Sequence, residues 1–290
     1  MALGHGRITY GDGAVSLSFG RGTPYALSRF TRGVAEREDT DVRRPRQDGA
    51  ILGRFYKGKA QHDLTLTVDA GTDEARAIEL LRDLETAWDA RGYRTQPGFL
   101  AELWQGDDRY CLGQPRALDP NDDGLWNGTA TAELAFVAES DRWYGATRST
   151  TVGVTPPTSG GLEFPAEAPF TFDSGPSVQE TALLVEGVMP AWPVFTIREA
   201  ITNPSVWIEG IGNLQFNIDL KYDQNLVADT RPHRRGIYLN GVAVPGLLSP
   251  RGARLSDMSV MPGSHRVFIR GHSPGLAELT VSTTAVYPSF

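Results

Sequence analysis

Period-2 alternation of apolar and polar residues at both ends of the chain restricts it to a mainly β fold. Leu64, Leu66, Val68 and Ala70 point one way while Asp63, Thr65, Thr67 and Asp69 point the other. Val15, Leu17 and Phe19 follow the same rule, as do Ala130, Ala132, Leu134 and Phe136. A strand whose successive side chains face opposite sides reads this way when one face is buried. Gly11-Asp12-Gly13 and Gly106-Asp107-Asp108 separate such runs and supply the positive φ that tight hairpins require.

One segment departs from the alternation. Ala77, Leu81, Leu84 and Trp88 recur at helical spacing from Asp73 to Asp89, joined by Ile78 and Leu80, with Arg76, Glu79, Arg82, Asp83 and Glu85 on the other faces. The pattern predicts one amphipathic helix packed on a sheet. Thr72 or Asp73 caps its start, and Gly92 lies where the chain turns out of it. After Gly92 the pattern is all β. Leu214, Phe216, Ile218 and Leu220 alternate with polar residues, as do Leu279, Val281 and Thr283, and Ile237 and Leu239 enter an Asn240-Gly241 hairpin that leaves through Val242 and Val244. Two sheets packed face to face, a β-sandwich, bury these positions.

The chain has 290 residues, long enough for two domains, and the Pro156-Pro157 and Gly160-Gly161 steps place the boundary. The expected division is 1–146, a linker at 147–161, and 162–290, with the Phe-rich stretch Leu162 to Ser174 as an edge strand of the second domain. A formal net charge of -7 gives no electrostatic footprint for nucleic acid. Cys111 has no partner for an internal disulfide, Met1 to Tyr10 lacks the apolar core of a signal peptide, and no apolar run approaches the roughly 20 residues a membrane helix needs.

Catalytic candidates are few. Gly271-His272-Ser273-Pro274-Gly275 satisfies the G-x-S-x-G pattern, but strand-like residues flank it on both sides, where a nucleophile elbow needs a helix after the serine; it reads as a hairpin turn. Asp119, Asn121 and Asp123 with Gly124 match the first half of a calcium loop, while position 12 is Ala130 in place of the bidentate Glu, so a polar turn is the better reading. His5, His62, His233, His265 and His272 show no metal-site spacing, and pairs such as Glu163 and Glu167 carry no weight without a distance. No catalytic, cofactor or metal residue is assigned, and the chain is expected not to be an enzyme.

Charge concentrates between Arg32 and Arg46, with Glu36, Arg37, Glu38, Asp39, Asp41, Arg43, Arg44 and Arg46. It reads either as a solvated loop or as an arm that orders against a neighbouring subunit, its mixed signs favouring a protein partner over DNA. Arg37, Arg43, Arg44 and Arg46, with Glu79 on the outer face of the helix, are the assembly candidates.

The second half carries Trp192-Pro193, Asn203-Pro204, Val227-Ala228-Asp229-Thr230, Asn240-Gly241, Met261-Pro262-Gly263-Ser264-His265 and Val286-Tyr287-Pro288, in that order. This order resembles the galectin-like domain of distal tail proteins of long-tailed phages. In the first half, Arg46-Gln47-Asp48-Gly49, the run Gly53 to Lys59, a strand, one helix, and the run ending Asp141-Arg142-Trp143-Tyr144 look similar to that family's ring-forming domain. The resemblance implies a split β-barrel or sheet with one helix, followed by a galectin-like β-sandwich. It also implies a structural virion protein at the tail tip, made in the host cytoplasm and forming a ring, usually of six copies, that joins the tail tube protein to the tail hub protein. Tape-measure and receptor-binding proteins complete the implied partners. The rival reading is a carbohydrate-binding sandwich, with Trp192, Trp207 and Tyr222 as candidate platform residues.

Overall fold

The structure is a computed structural model and describes residues 4–11, 14–154, 177–273 and 277–288. The chain divides into two compact units, one of residues 1–145 with 287–290 and one of residues 146–286. The stretch 162–174, read as an edge strand, lies outside the described residues, as do Pro156-Pro157 and Gly160-Gly161.

The first unit contains β1 (His5–Tyr10), β2 (Ala14–Gly20), β3 (Tyr25–Thr31), β4 (Arg37–Asp39), β5 (Val42–Arg43), β6 (Ala50–Ile51), β7 (Phe55–Lys57), β8 (Ala60–Asp69), α1 (Glu74–Asp89), α2 (Arg91–Arg94), β9 (Ala101–Gln105), β10 (Arg109–Asn121) and β11 (Thr129–Ala138). Antiparallel ladders join seven of these in the order β2-β1-β9-β10-β11-β8-β3. β10 does double duty. Its first half pairs with β9 and its second half with β11, and an irregularity between Pro115 and Leu118 re-aims the strand. β2 and β3 share no ladder among the described residues, so the barrel is split.

The inward faces are those the alternation predicted. Leu64, Leu66 and Val68 of β8 and Ala130, Ala132, Leu134 and Phe136 of β11 are buried with Ile8 and Leu103. α1 covers this core with Leu80, Leu81, Leu84 and Trp88. Asp73 caps the helix by accepting a hydrogen bond from the Arg76 backbone N–H at 3.0 Å. Two tyrosines fasten the helix to the sheet: Tyr10 donates to the Ala87 carbonyl and Tyr25 to the Leu80 carbonyl. The exit differs from expectation, because Ala90 takes the left-handed conformation (φ 46°) and α2 follows, with Gly92 inside it.

β12 (Trp143–Val154) corrects the expected linker. Residues 147–154 are strand, their threonines meeting those of β22 (Ala277–Tyr287): Thr147 pairs with Thr284 at 2.8 Å and Thr151 with Thr280 at 3.1 Å. A Thr-Val run satisfies backbone and side chain better in a ladder than in solvent. The second unit also holds β13 (Ser177–Val185), β14 (Val194–Arg198), β15 (Ile201–Ile208), β16 (Gly212–Gln215), β17 (Asp219–Leu220), β18 (Asn225–Asp229), β19 (Gly236–Leu239), β20 (Val242–Ala243) and β21 (Gly263–His272).

In this unit β22-β14-β18-β19-β20 form one sheet and β13-β21-β15-β16 the other, with β17 beside β15. Each sheet buries one face, Phe195, Ile197, Leu226, Leu279 and Val281 on the first and Leu183, Val206, Val267 and Ile269 on the second. Asn240 and Gly241 carry φ of 48° and 81° and close the predicted hairpin. The expected single strand from Leu214 to Leu220 is interrupted, because Phe216 bridges to Leu248 and the Asn217 N–H donates to the Leu247 carbonyl. At the chain's end, Tyr287 belongs to the first unit, where the Arg109 guanidinium lies 3.8 Å from its ring centre.

Candidate assembly site

The charged segment after β3 is neither a plain loop nor limited to Arg32–Arg46. β4 pairs with β7 (Arg37 opposite Lys57, Glu38 opposite Tyr56, Asp39 opposite Phe55), and β5 pairs with β6 (Val42 opposite Ile51, Arg43 opposite Ala50). Together they form a two-stranded arm. Between the ladders the strands remain tied, since the Gly53 N–H donates to Asp41 Oδ1 at 2.7 Å and Thr40 Oγ1 to the Arg54 carbonyl at 3.0 Å. Arg46 (φ 60°) and Gly49 (φ 97°) turn the tip, where the Arg44 N–H reaches the Gly49 carbonyl.

Every residue from Glu36 to Lys57 is exposed. Several are large and apolar: Val42, Ile51, Leu52 (80% exposed), Phe55 (62% exposed) and Tyr56, with Val34 at the root. An isolated two-stranded ribbon is marginal in water, and a concentration of exposed apolar side chains marks an interaction surface. Residues 32–59 hold eight Lys and Arg against five Asp and Glu, +3 in a chain of net charge -7, so the remainder carries -10. The arm is therefore electrostatically complementary to the body of its own kind of chain.

The assembly candidates divide between arm and helix. Arg37 stands 5.9 Å from the Phe55 ring centre, Arg43 lies in β5, and Arg44 and Arg46 occupy the tip. Glu79 is elsewhere, paired with Arg76 at 2.9 Å on the exposed face of α1. Sequence reasoning missed the returning half of the arm. Its apolar residues come as the adjacent pairs Ile51-Leu52 and Phe55-Tyr56 on either side of Gly53-Arg54, so no period-2 pattern signals a ladder.

The arm's root is built from the core outward. The Gly33 N–H donates to His62 Nδ1 at 3.1 Å, the Glu36 N–H to the Lys59 carbonyl, and the Gly58 N–H back to the Glu36 carbonyl. Lys57 forms an ion pair with Asp141. Gly33 is required there, because a Cβ would stand 1.7 Å from the Gln61 carbonyl oxygen. His62 is 1% exposed, stacked on Phe30 with ring centres 5.9 Å apart and tilted against Trp143 at 5.4 Å. Burial, with Arg32 in support and Asp63 in opposition, lowers its pKa to about 4.

The other candidates do not converge. Asp119 and Asn121 lie in β10, Asp119 opposite Glu133, and Asn121 Oδ1 is engaged by the Asp123 N–H at 2.9 Å, so the calcium-loop residues form a strand end and an Asx turn. Among the described residues no group of three or more His, Cys, Asp or Glu is placed to hold a metal. Ser273 follows β21 and donates to the Ala200 carbonyl at 2.9 Å, while Pro274 and Gly275 fall outside the described residues. A strand precedes and a strand follows it. Trp207 is stacked on Phe268 at 4.8 Å across β15 and β21, Tyr222 is exposed, and Trp192 is half-buried. No helix among the described residues is long and apolar enough to cross a membrane.

Among solved structures, the Dit protein of phage SPP1, described as a paradigm of the hub adsorption apparatus in phages infecting Gram-positive bacteria, matches 97% of this chain and 98% of its own length, with a TM-score of 0.60 at 13% identity. The fold is that of Dit. Two structures of the phage P2 baseplate in its activated conformation, one with Ca and one with Sr, contain chains that match with TM-scores of 0.53 at 10% and 9% identity, over 96% of this chain and 97% of theirs. No family model matches the sequence, and no curated protein does. The Dit fold thus spans both units here, including the split barrel that bears the arm.

Proposed function

We propose that this chain is a structural protein of a phage tail tip, which acts by assembling into a ring and performs no catalysis of its own. The observation that carries this reading is the arm: a ribbon exposed along its whole length, rich in apolar side chains, basic against an acidic body, and attached to a fold shared with phage hub and baseplate proteins. A surface of this kind is stabilised by covering it, and closed rotational symmetry covers each copy's arm without forming open fibres. Six copies is the number the resemblance implies. In this reading the ring joins a tail tube protein to a tail hub protein, and the second unit carries peripheral docking surfaces for tape-measure or receptor-binding proteins. Synthesis in the host cytoplasm and residence in the virion tail complete it.

Light scattering and negative-stain imaging of the purified full-length chain test the proposal. Closed rings are expected at micromolar concentration. A monodisperse monomer at high concentration, with no added tail protein able to convert it, would overturn the reading.

A further inference from the structure

The arm's attachment contains one group that changes hydrogen-bonding character with pH. His62 sits on β8, a strand laddered to β3 on one side and to β11 on the other, and is therefore fixed in place. Its Nδ1 accepts from the Gly33 N–H, which puts the ring proton on Nε2, and among the described residues buried Nε2 has no hydrogen-bond partner. Neutral imidazole suits this cage of Phe30 and Trp143.

Protonation would place a donor on Nδ1 facing the Gly33 donor, and a charge among aromatic rings. The charged groups around it offer little relief. Arg32 on the root opposes the charge; Asp63 favours it, but alternates to the other face of β8 and accepts from Gln61 Nε2 at 2.9 Å. Asp141 and Arg142 lie beside Trp143, and Asp141 is taken by Lys57. β11 brings Phe136 opposite His62.

At this junction β8 is held by two full ladders, whereas the root is held by the Gly33–His62 bond, the reciprocal bonds of Glu36 with Lys59 and Gly58, and the Lys57–Asp141 ion pair. We infer that His62 is an acid-released latch: neutral, it fastens Gly33 and so the direction of the arm, and protonated, it frees the root and withdraws the arm from the neighbouring copy. The second half of this inference rests on reading the arm as the ring contact; the first does not. The fastening survives while the ring is neutral and fails as pH falls toward 4, the value to which burial depresses the group.

The decisive experiment follows amide hydrogen exchange of residues 32–59, corrected for intrinsic rate, from about pH 7.5 to about pH 4, alongside ring mass, in wild type and His62→Gln. Glutamine keeps an acceptor and does not titrate. Wild type should lose protection of the Gly33 amide, steepening toward about tenfold per pH unit, with rings lost over the same interval. The variant should keep both. Equal profiles in the two proteins would overturn the latch. If His62→Gln fails to fold, NMR titration of His62 in wild type decides: its midpoint must coincide with loss of Gly33 protection, and separate midpoints overturn the proposal. Absence of rings at neutral pH would instead defeat the assembly reading, while exchange in the monomer still tests the latch.

Discussion

Val42 stands directly opposite Ile51 near the tip of the arm, and both side chains are more than half exposed. A cross-strand apolar pair stabilises a ribbon modestly, by about 0.2–1 kcal/mol, and leaves most of its surface for a partner. Replacing both residues with Asp should shift the melting temperature by an amount equivalent to about 0.5 kcal/mol or less per site, as for other exposed positions. The same change should abolish rings. A double variant that still assembles, measured by light scattering at matched concentration, would remove the arm from the interface.

Gly33 offers a contrasting test. A methyl group there would overlap the Gln61 carbonyl at 1.7 Å, and backbone cannot yield as a flexible side chain can. Gly33→Ala should cost about 1–3 kcal/mol in the first unit, the range of overpacking in a well-packed interior. Urea unfolding monitored by tryptophan fluorescence reads it, since Trp88 and Trp143 are both buried in that unit. An unchanged midpoint would mean that the root is already free to move.

The helix separates core from surface within two turns. Leu84 is fully buried against the sheet, whereas Glu79 is exposed and paired with Arg76. Leu84→Ala should destabilise the first unit by about 2–5 kcal/mol. Glu79→Lys should change stability by less than about 1 kcal/mol, because surface ion pairs contribute little, so any loss of rings in that variant is an interface effect. Calorimetry paired with ring mass distinguishes the two outcomes.

Much of this architecture was legible in the sequence because one-sided burial writes a period into the chain. Leu64 to Val68, Ala130 to Phe136, the Ala77 to Trp88 stripe and Asn240-Gly241 each appear where local pattern and tertiary context agree. Other features arise from long-range pairing that leaves no local period. Thr147 to Val154 became strand because β22 supplies matching threonines, Tyr287 rejoined the first unit through Arg109, and the arm's return strand is set by pairing across its tip. His62 appeared in sequence as one of five unremarkable histidines. Only the fold brings Gly33, Phe30 and Trp143 around it.

Acid stability takes its sign from two histidines, His62 buried and His233 half-buried. His62 in the first unit and His233 in the second both have folded pKa values lowered to about 4 from 6.5, in each case mainly by burial, helped by Arg32 at His62 and by Arg231 at His233. A lowered value means that the folded state binds the proton less readily than the unfolded chain. Between about pH 4 and 6.5 the unfolded chain therefore holds more protons, and stability rises with pH. The contribution is fully present above pH 6.5, declines as pH falls through the window, and reaches its limit below pH 4. For His62, a fall from 6.5 to about 4 at about 1.4 kcal/mol per pKa unit makes the loss on the order of 3–4 kcal/mol. Part of it appears as local release of the root at Gly33 before the unit unfolds, because that opening lets the imidazolium reach water at a smaller cost. His62→Gln should flatten the pH dependence of the first unit's unfolding midpoint and leave the second unit's unchanged. Denaturant unfolding at a series of pH values, with the two transitions resolved, measures both slopes. A first-unit slope as steep in the variant as in wild type would assign the acid sensitivity to carboxylates whose folded pKa is lowered, such as Asp107 through its bonds to His5 and Arg7, in place of His62.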